Sequence, residues 1–328
     1  MPSIFEDLSG LLSSSVTSEL GKAVGLKPDL VSKGVGVVGP LVTAALANKA
    51  STPAGQTDLM QLLPKDGVTS VLGNLAKSVT GGAAGGTDML SSILGNGAGA
   101  VGATLDRALG FKASALIPAV MPLIMGLISK ANTEKNLGAG GIATLLGNEV
   151  ANFQKTGGET AGLVKSALDA GQRATDTKAK YTPVQWDTVR LAPVAAAHMV
   201  IMADKSGPVG AIKEISAATG AINDAAKLAA PASLLGLAFD HDFTVEELTK
   251  FTKTRTPDDA LATVRDAIAS VEKNSPADAP TYKQLVADVA TKVANASKEG
   301  GILGFGGVAV SPKEQAALDQ LRSVIEKR

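Results

Sequence analysis

Residues 11–27 read LLSSSVTSELGKAVGLK, residues 96–112 read NGAGAVGATLDRALGFK, and the two stretches align at a constant offset. Val16 falls on Val101, Leu20 on Leu105, Gly25 on Gly110 and Lys27 on Lys112. After a three-residue gap the similarity resumes. VVGPLVTAALANKA (37–50) faces AVMPLIMGLISKA (119–131), with Pro40 on Pro122 and Leu41 on Leu123, and GQTDLMQLL (55–63) faces GAGGIATLL (138–146). Similarity that recurs in the same order over three segments marks a duplication, so the first half of the chain reads as a tandem repeat.

Each copy predicts the same run of elements. An amphipathic helix ends at a glycine, a proline-interrupted apolar helix follows, and a polar loop leads to a short helix ending in paired leucines. Gly25 and Gly110 suit the left-handed position just past a helix C-terminus, where a Cβ would be penalised. The stretch VTGGAAGGTD (79–88) between the copies reads as a connector.

Composition points the same way. Apolar residues make up 45% of the chain but aromatics only 3%, so the core is built from Ala, Val, Leu and Ile, which lets helix backbones approach closely. No stretch alternates apolar and polar residues with period two, so no sheet is expected. The fold class is therefore all-α, as two helical bundles of which the first is the tandem repeat. The expected division is a duplicated domain over 1–155, a polar helical linker over 156–182 and a second helical domain over 183–328. In the second domain the helices are expected at about 184–203, 209–229, 244–253, 257–273, 279–297 and 312–327. Thr244 with Glu247, Thr256 with Asp259 and Ser311 with Glu314 read as capping boxes, in which a hydroxyl and an acid satisfy each other's backbone amides.

Charge and residue type exclude several functions. With 31 basic and 31 acidic residues, the chain lacks the positive excess that phosphate backbones demand, so no nucleic-acid partner is expected. Without cysteine there are no disulfides, thiol nucleophiles or thiolate metal sites. The opening MPSIFEDL carries two acids and no basic, then apolar, leader pattern, so the expected location is the cytoplasm. The longest uncharged apolar run, residues 113–129, is interrupted by Pro118 and Pro122 and sits at the lower length limit for spanning a bilayer. A buried core helix is the better reading than a membrane segment.

The usual chemical motifs fail on context. Gly34-Gly36-Gly39 and Gly97-Gly99-Gly102 both match GxGxxG, but neither follows a strand-like run and Pro40 comes directly after Gly39. Dinucleotide binding needs a strand before the glycines and a helix N-terminus after them, so these read as loop glycines and no cofactor is expected. His198 lies in the apolar helix AAAHMVIMAD and reads as a core imidazole. His241, between Asp240 and Asp242, reads as part of a solvated cap. There is no GxSxG elbow, Walker lysine or HExxH helix, so no catalytic residues are assigned and the chain is not expected to be an enzyme.

One outline in the second half invites a metal. VIMADKSGPVGAIKEISAA (200–218) reads as a helix ending in Ala-Asp, a glycine turn and a new helix containing Glu214. VANASKEGGILGFGGVAVSPKEQAALDQL (293–321) repeats it, with Ser297 in place of the acid and Glu314 in the following helix. This pattern resembles the tellurite-resistance TerB-like helical domain. That resemblance implies Asp204, Glu214 and, by pairing, Glu314 as ligands for a divalent cation such as calcium or magnesium. The competing reading places both glutamates at helix N-termini, where they offset the dipole. The G-[LF]-K…P-L…LL outline of both N-terminal copies is similar to the bacterial YidB-like family, which has no established activity and implies only a helical fold.

From these features the expected role is that of a non-enzymatic intracellular interaction or assembly protein, bacterial in origin, whose partner is a second copy or another protein. The alternatives are a metal-responsive stress protein of the tellurite-resistance kind and a peripheral membrane protein acting through the 113–129 helix.

Overall fold

In the computed structural model, residues 3–64, 91–204, 207–240, 243–296 and 310–326 are described. The connector at 79–88, the Asp240-His241-Asp242 turn beyond Asp240, and Ser297 with the glycine loop after it lie outside them. The described residues form helices and no strand, and the chain divides into two compact units, Met1–Thr175 and Asp176–Arg328.

The first unit holds α1 (Ile4–Leu11), α2 (Ser14–Val24), α3 (Pro28–Ala50), α4 (Pro53–Leu62), α5 (Ala98–Leu109), α6 (Ile117–Lys135), α7 (Gly138–Thr156) and most of α8 (Gly158–Lys178). Short 3-10 turns at Gly95–Gly97 and Ala113–Leu116 precede α5 and α6. The duplication is visible in the backbone. α2 ends at Gly25 with φ of 72° and α5 ends at Gly110 with φ of 75°, both in the left-handed region that favours glycine. α3 carries Pro40 in its interior and α6 carries Pro122. These two matched helices are the most apolar in the unit, long enough by composition to cross a membrane once the 3-10 turn is counted, and both are mostly buried in this core. Val38, Leu41, Val42 and Leu46 of α3 meet a core that includes Val120, Ile124 and Ile128 of α6. A fully buried side chain of this size contributes roughly 1.5–3 kcal/mol, so the two central helices dominate the unit's stability.

The glycines of the two GxGxxG matches are not in loops. Gly34 and Gly39 sit inside α3, and Gly97 and Gly102 sit in the 3-10 turn and α5. Their role is close approach. A Cβ at Gly34 would fall 2.4 Å from Leu116 Cδ1, one at Gly39 would fall 2.8 Å from Leu8 Cδ2, and one at Gly97 would fall 2.4 Å from the carbonyl oxygen of Gly171. That last contact belongs to α8, which the polar composition of 156–182 marks as a linker. Its Val164 and Ala167 enter the first core instead. Small residues at three- and four-residue spacing (Val164, Ala167, Gly171, Ala174) give a narrow face that packs despite the polar remainder.

The second unit is built on α9 (Pro183–Ala203), α10 (Gly207–Leu228), α11 (Leu234–Ala238), α12 (Val245–Thr254), α13 (Pro257–Asn274), α14 (Ala279–Ala296) and α15 (Pro312–Glu326). α9 is the central helix, packed by α13 and α14 and also touched by α10, α12 and α15. The capping boxes at Thr244, Thr256 and Ser311 form, and two more open α1 (Ser3 with Glu6) and α9 (Thr182 with Gln185). Each cap of this kind is worth about 1 kcal/mol. Asn223 of α10 clamps the start of α12: its amide donates to the Phe243 carbonyl at 3.1 Å and accepts from the Phe243 N–H at 2.9 Å.

Candidate functional site

α10 and α14 pack along each other, and one side of that pair is open. From α10, Ala221, Asp224, Ala225 and Leu228 follow helical spacing and face the opening. From α14 come Thr281, Gln284, Leu285, Asp288 and Lys292, also at three- and four-residue intervals. α11 and the turn before it, through Ser233 and Leu235, complete a groove of about 760 Å³. This is within the range of ordinary ligand and peptide sites.

The floor is apolar. Ala221, Leu235 and Leu285 are buried beneath it, whereas Leu228 stands on its edge with 85% of its surface exposed. The polar groups lie on the rim. Asp224 and Asp288 are exposed and Asp278 is half-buried. Asp288 accepts from the Gln284 side-chain amide at 2.7 Å, and Asp278 faces the Leu234 N–H at 3.5 Å, the outer limit for a hydrogen bond. Lys292 is the one cation among the described lining residues. Three carboxylates and one ammonium surround the apolar floor. They supply desolvation along the middle and negative charge along the edges.

A second opening of about 320 Å³ lies between α9 and α12, where Arg190, Lys250 and Arg255 alternate with Asp187 and Glu247 around Phe243 and Phe251. Arg190 is tied down there. Its Nε donates to the Ala238 carbonyl at 3.0 Å and its guanidinium lies over the Phe243 ring.

The acids expected as metal ligands fall on separate elements. Asp204 follows the C-terminus of α9 and is half-buried, Glu214 is buried within α10, and Glu314 is buried in the first turn of α15. Among the described residues, no group of three or more His, Asp or Glu side chains is placed to hold a metal ion, so these three are not brought together. Glu314 is occupied as the acid of a capping box. Its Oε2 accepts from the Ser311 N–H at 2.7 Å and its own N–H donates to Ser311 Oγ at 3.2 Å.

His198 is fully buried in α9. Its Nε2 lies 2.9 Å from the Arg255 carbonyl oxygen and its ring meets Phe251 edge-on. A carbonyl only accepts, so Nε2 carries the proton and Nδ1 is bare, with no hydrogen-bond partner among the described residues. Burial pushes the imidazole below its ordinary value.

Residues 6–131 match DUF937, a bacterial protein of unknown function. The DUF937 match begins within α1 and ends within α6, so it takes in the first copy and much of the second. The groove between α10 and α14 lies outside it. No curated protein matches the chain, and no solved structure does.

The groove was not anticipated from sequence, although a signal for it exists. In GAINDAAKLAAPAS (220–233) alanines at 221, 225 and 229 share a helix face with Leu228, an apolar stripe that continues to the helix end where a solvated terminus would be polar.

Proposed function

We propose that this protein is a non-catalytic interaction protein of the bacterial cytoplasm that holds a segment of another polypeptide in the groove between α10 and α14. The observation that carries the reading is the groove itself: about 760 Å³ over an apolar floor, with Leu228 left 85% exposed at its edge. An exposed leucine beside an open apolar channel gains from being covered, because contact removes its apolar surface from water. The DUF937 match and the duplicated proline-interrupted helices support a YidB-like reading of the first unit as the scaffold that accompanies this groove.

The test is site-specific photo-crosslinking in cells with the full chain. A photoreactive residue in place of Leu228 is expected to join a defined polypeptide whose attached segment is read by peptide sequencing, and Ala225→Arg is expected to abolish the adduct. The same probe at Val184, exposed on α9 and absent from the groove lining, is the reference. Equal labelling from both positions would overturn the proposal. An adduct to a second copy of the chain would identify the partner as self.

A further inference from the structure

We infer that the groove between α10 and α14 takes a basic amphipathic helix of about three turns from a partner protein, an inference that rests on the interaction reading above. Shape is the first argument. The lining residues of α14 run from Thr281 to Lys292 on one helix face, which at 1.5 Å per residue is a channel of roughly 16 Å. Ala221 and Ala225 of α10, and Ala229 just after its end, line this side, side chains short enough for a third helix axis to come within the 8–10 Å typical of packed helices. Two parallel walls of this kind receive a helix as its apolar stripe of i, i+3, i+4 and i+7 residues, with Leu228 and Leu285 as the large side chains it meets.

Charge is the second argument, and it decides the class of helix. Asp224 stands on the α10 wall, Asp288 on the α14 wall and Asp278 in the turn just before α14, and among the described lining residues only Lys292 opposes them. Each long edge thus carries a carboxylate, and Lys292 lies in the last lining position of α14. An occupant with Lys or Arg on either flank of its apolar stripe finds opposite charge on both walls, and an acidic one meets repulsion there. Exposed ion pairs add little affinity one at a time. Their effect is on partner choice and encounter rate, so affinity comes from the floor and selectivity from the rim.

Two fluorescein-labelled synthetic helices with the same leucine stripe, one flanked by lysines and one by glutamates, would be titrated into the full-length protein by fluorescence anisotropy. The lysine helix is expected to bind at least tenfold more tightly, with the preference shrinking as salt screens the rim. Asp224→Lys with Asp288→Lys is expected to reverse the order, and Ala225→Arg, which obstructs the floor, is expected to abolish binding of both. Equal affinity for the two helices in the unaltered protein, or a preference unmoved by the double charge reversal in a variant with unchanged circular dichroism, would overturn the inference. If neither helix binds while the Leu228 crosslink captures a defined partner segment, the basic-helix assignment falls and the interaction reading stands. If both experiments are negative, both fall.

Discussion

The hydroxyl of Tyr282 on α14 donates to the carbonyl oxygen of Val189 on α9 at 2.8 Å. Val189 is four residues before Pro193, which lies inside α9 and has no N–H to give back to that carbonyl. The tyrosine therefore supplies, from a neighbouring helix, the hydrogen bond that the proline withholds. Tyr282 is completely buried, and burial pushes its hydroxyl well above its ordinary value, so it remains protonated as the donor.

Tyr282→Phe should leave the Val189 carbonyl buried without that donor and cost about 1–3 kcal/mol. In a Pro193→Ala background the new N–H can close the helix on Val189, so the same Tyr282→Phe change should cost less than half as much. Trp186, the only tryptophan of the chain, lies in the second unit, and its fluorescence during urea unfolding gives both values. Equal costs in the two backgrounds would show that the hydroxyl does not substitute for the missing amide.

His198 makes the second unit sensitive to acid. Burial is the main cause of its lowered value, only partly offset by the bond to the Arg255 carbonyl. The unfolded chain takes up a proton near the ordinary 6.5 and the folded chain resists it to lower pH. The stability associated with neutral His198 is therefore complete above 6.5 and is lost as the pH falls from there toward the lowered folded value. Urea midpoints followed by Trp186 should decline across this window, and His198→Gln, which keeps a donor for Arg255 but does not titrate, should flatten the decline.

Glu149 on α7 has the opposite sign. Its carboxyl is raised above the ordinary 4.5, chiefly by burial and further by Glu6 and Asp7, against a lowering bond from the Ile4 N–H at the start of α1. The folded chain holds this proton more tightly than the unfolded one, so Glu149 favours folding at low pH, and that contribution is lost as the pH rises from 4.5 through the raised folded value. Glu149→Gln should raise the protection of α1 amides from hydrogen exchange at neutral pH, and the difference from the unaltered chain should vanish well below pH 4.5.

The two repeat copies close their turns differently. In the second, Asp106 accepts from the Ser114 N–H and from Ser114 Oγ, both at 2.7 Å. At the matching position of the first copy stands Gly21, whose carbonyl accepts from the Leu26 N–H at 2.8 Å and whose Cβ, if present, would fall 2.4 Å from the Leu26 oxygen. Asp106→Ala should cost about 1–2 kcal/mol, as the loss of a helix cap does. Gly21→Ala should cost at least as much, because backbone must shift. Hydrogen-exchange protection of α2 and α5 separates the two effects.

What the sequence determined by itself is local or repeated. The duplication placed Gly25 beside Gly110 and Pro40 beside Pro122, because a left-handed glycine and an interior proline are backbone constraints written in single residues. The capping boxes at Thr244, Thr256 and Ser311 were legible for the same reason, since donor and acceptor lie three residues apart. The helices of the second unit followed from their apolar period and these caps, although short α11 was missed because five residues carry too little period to read. Tertiary structure alone decided the rest. Whether Gly34 is a loop residue or a point of contact depends on Leu116, which is distant in sequence. Whether Asp204, Glu214 and Glu314 meet depends on how three separate helices are oriented, and the same holds for Tyr282 reaching the carbonyl freed by Pro193. The groove belongs to this second class. Ala221, Leu228, Leu285 and Asp288 carry no joint signal in the chain, and they become neighbours only because burying the opposite faces of α10 and α14 leaves these faces side by side.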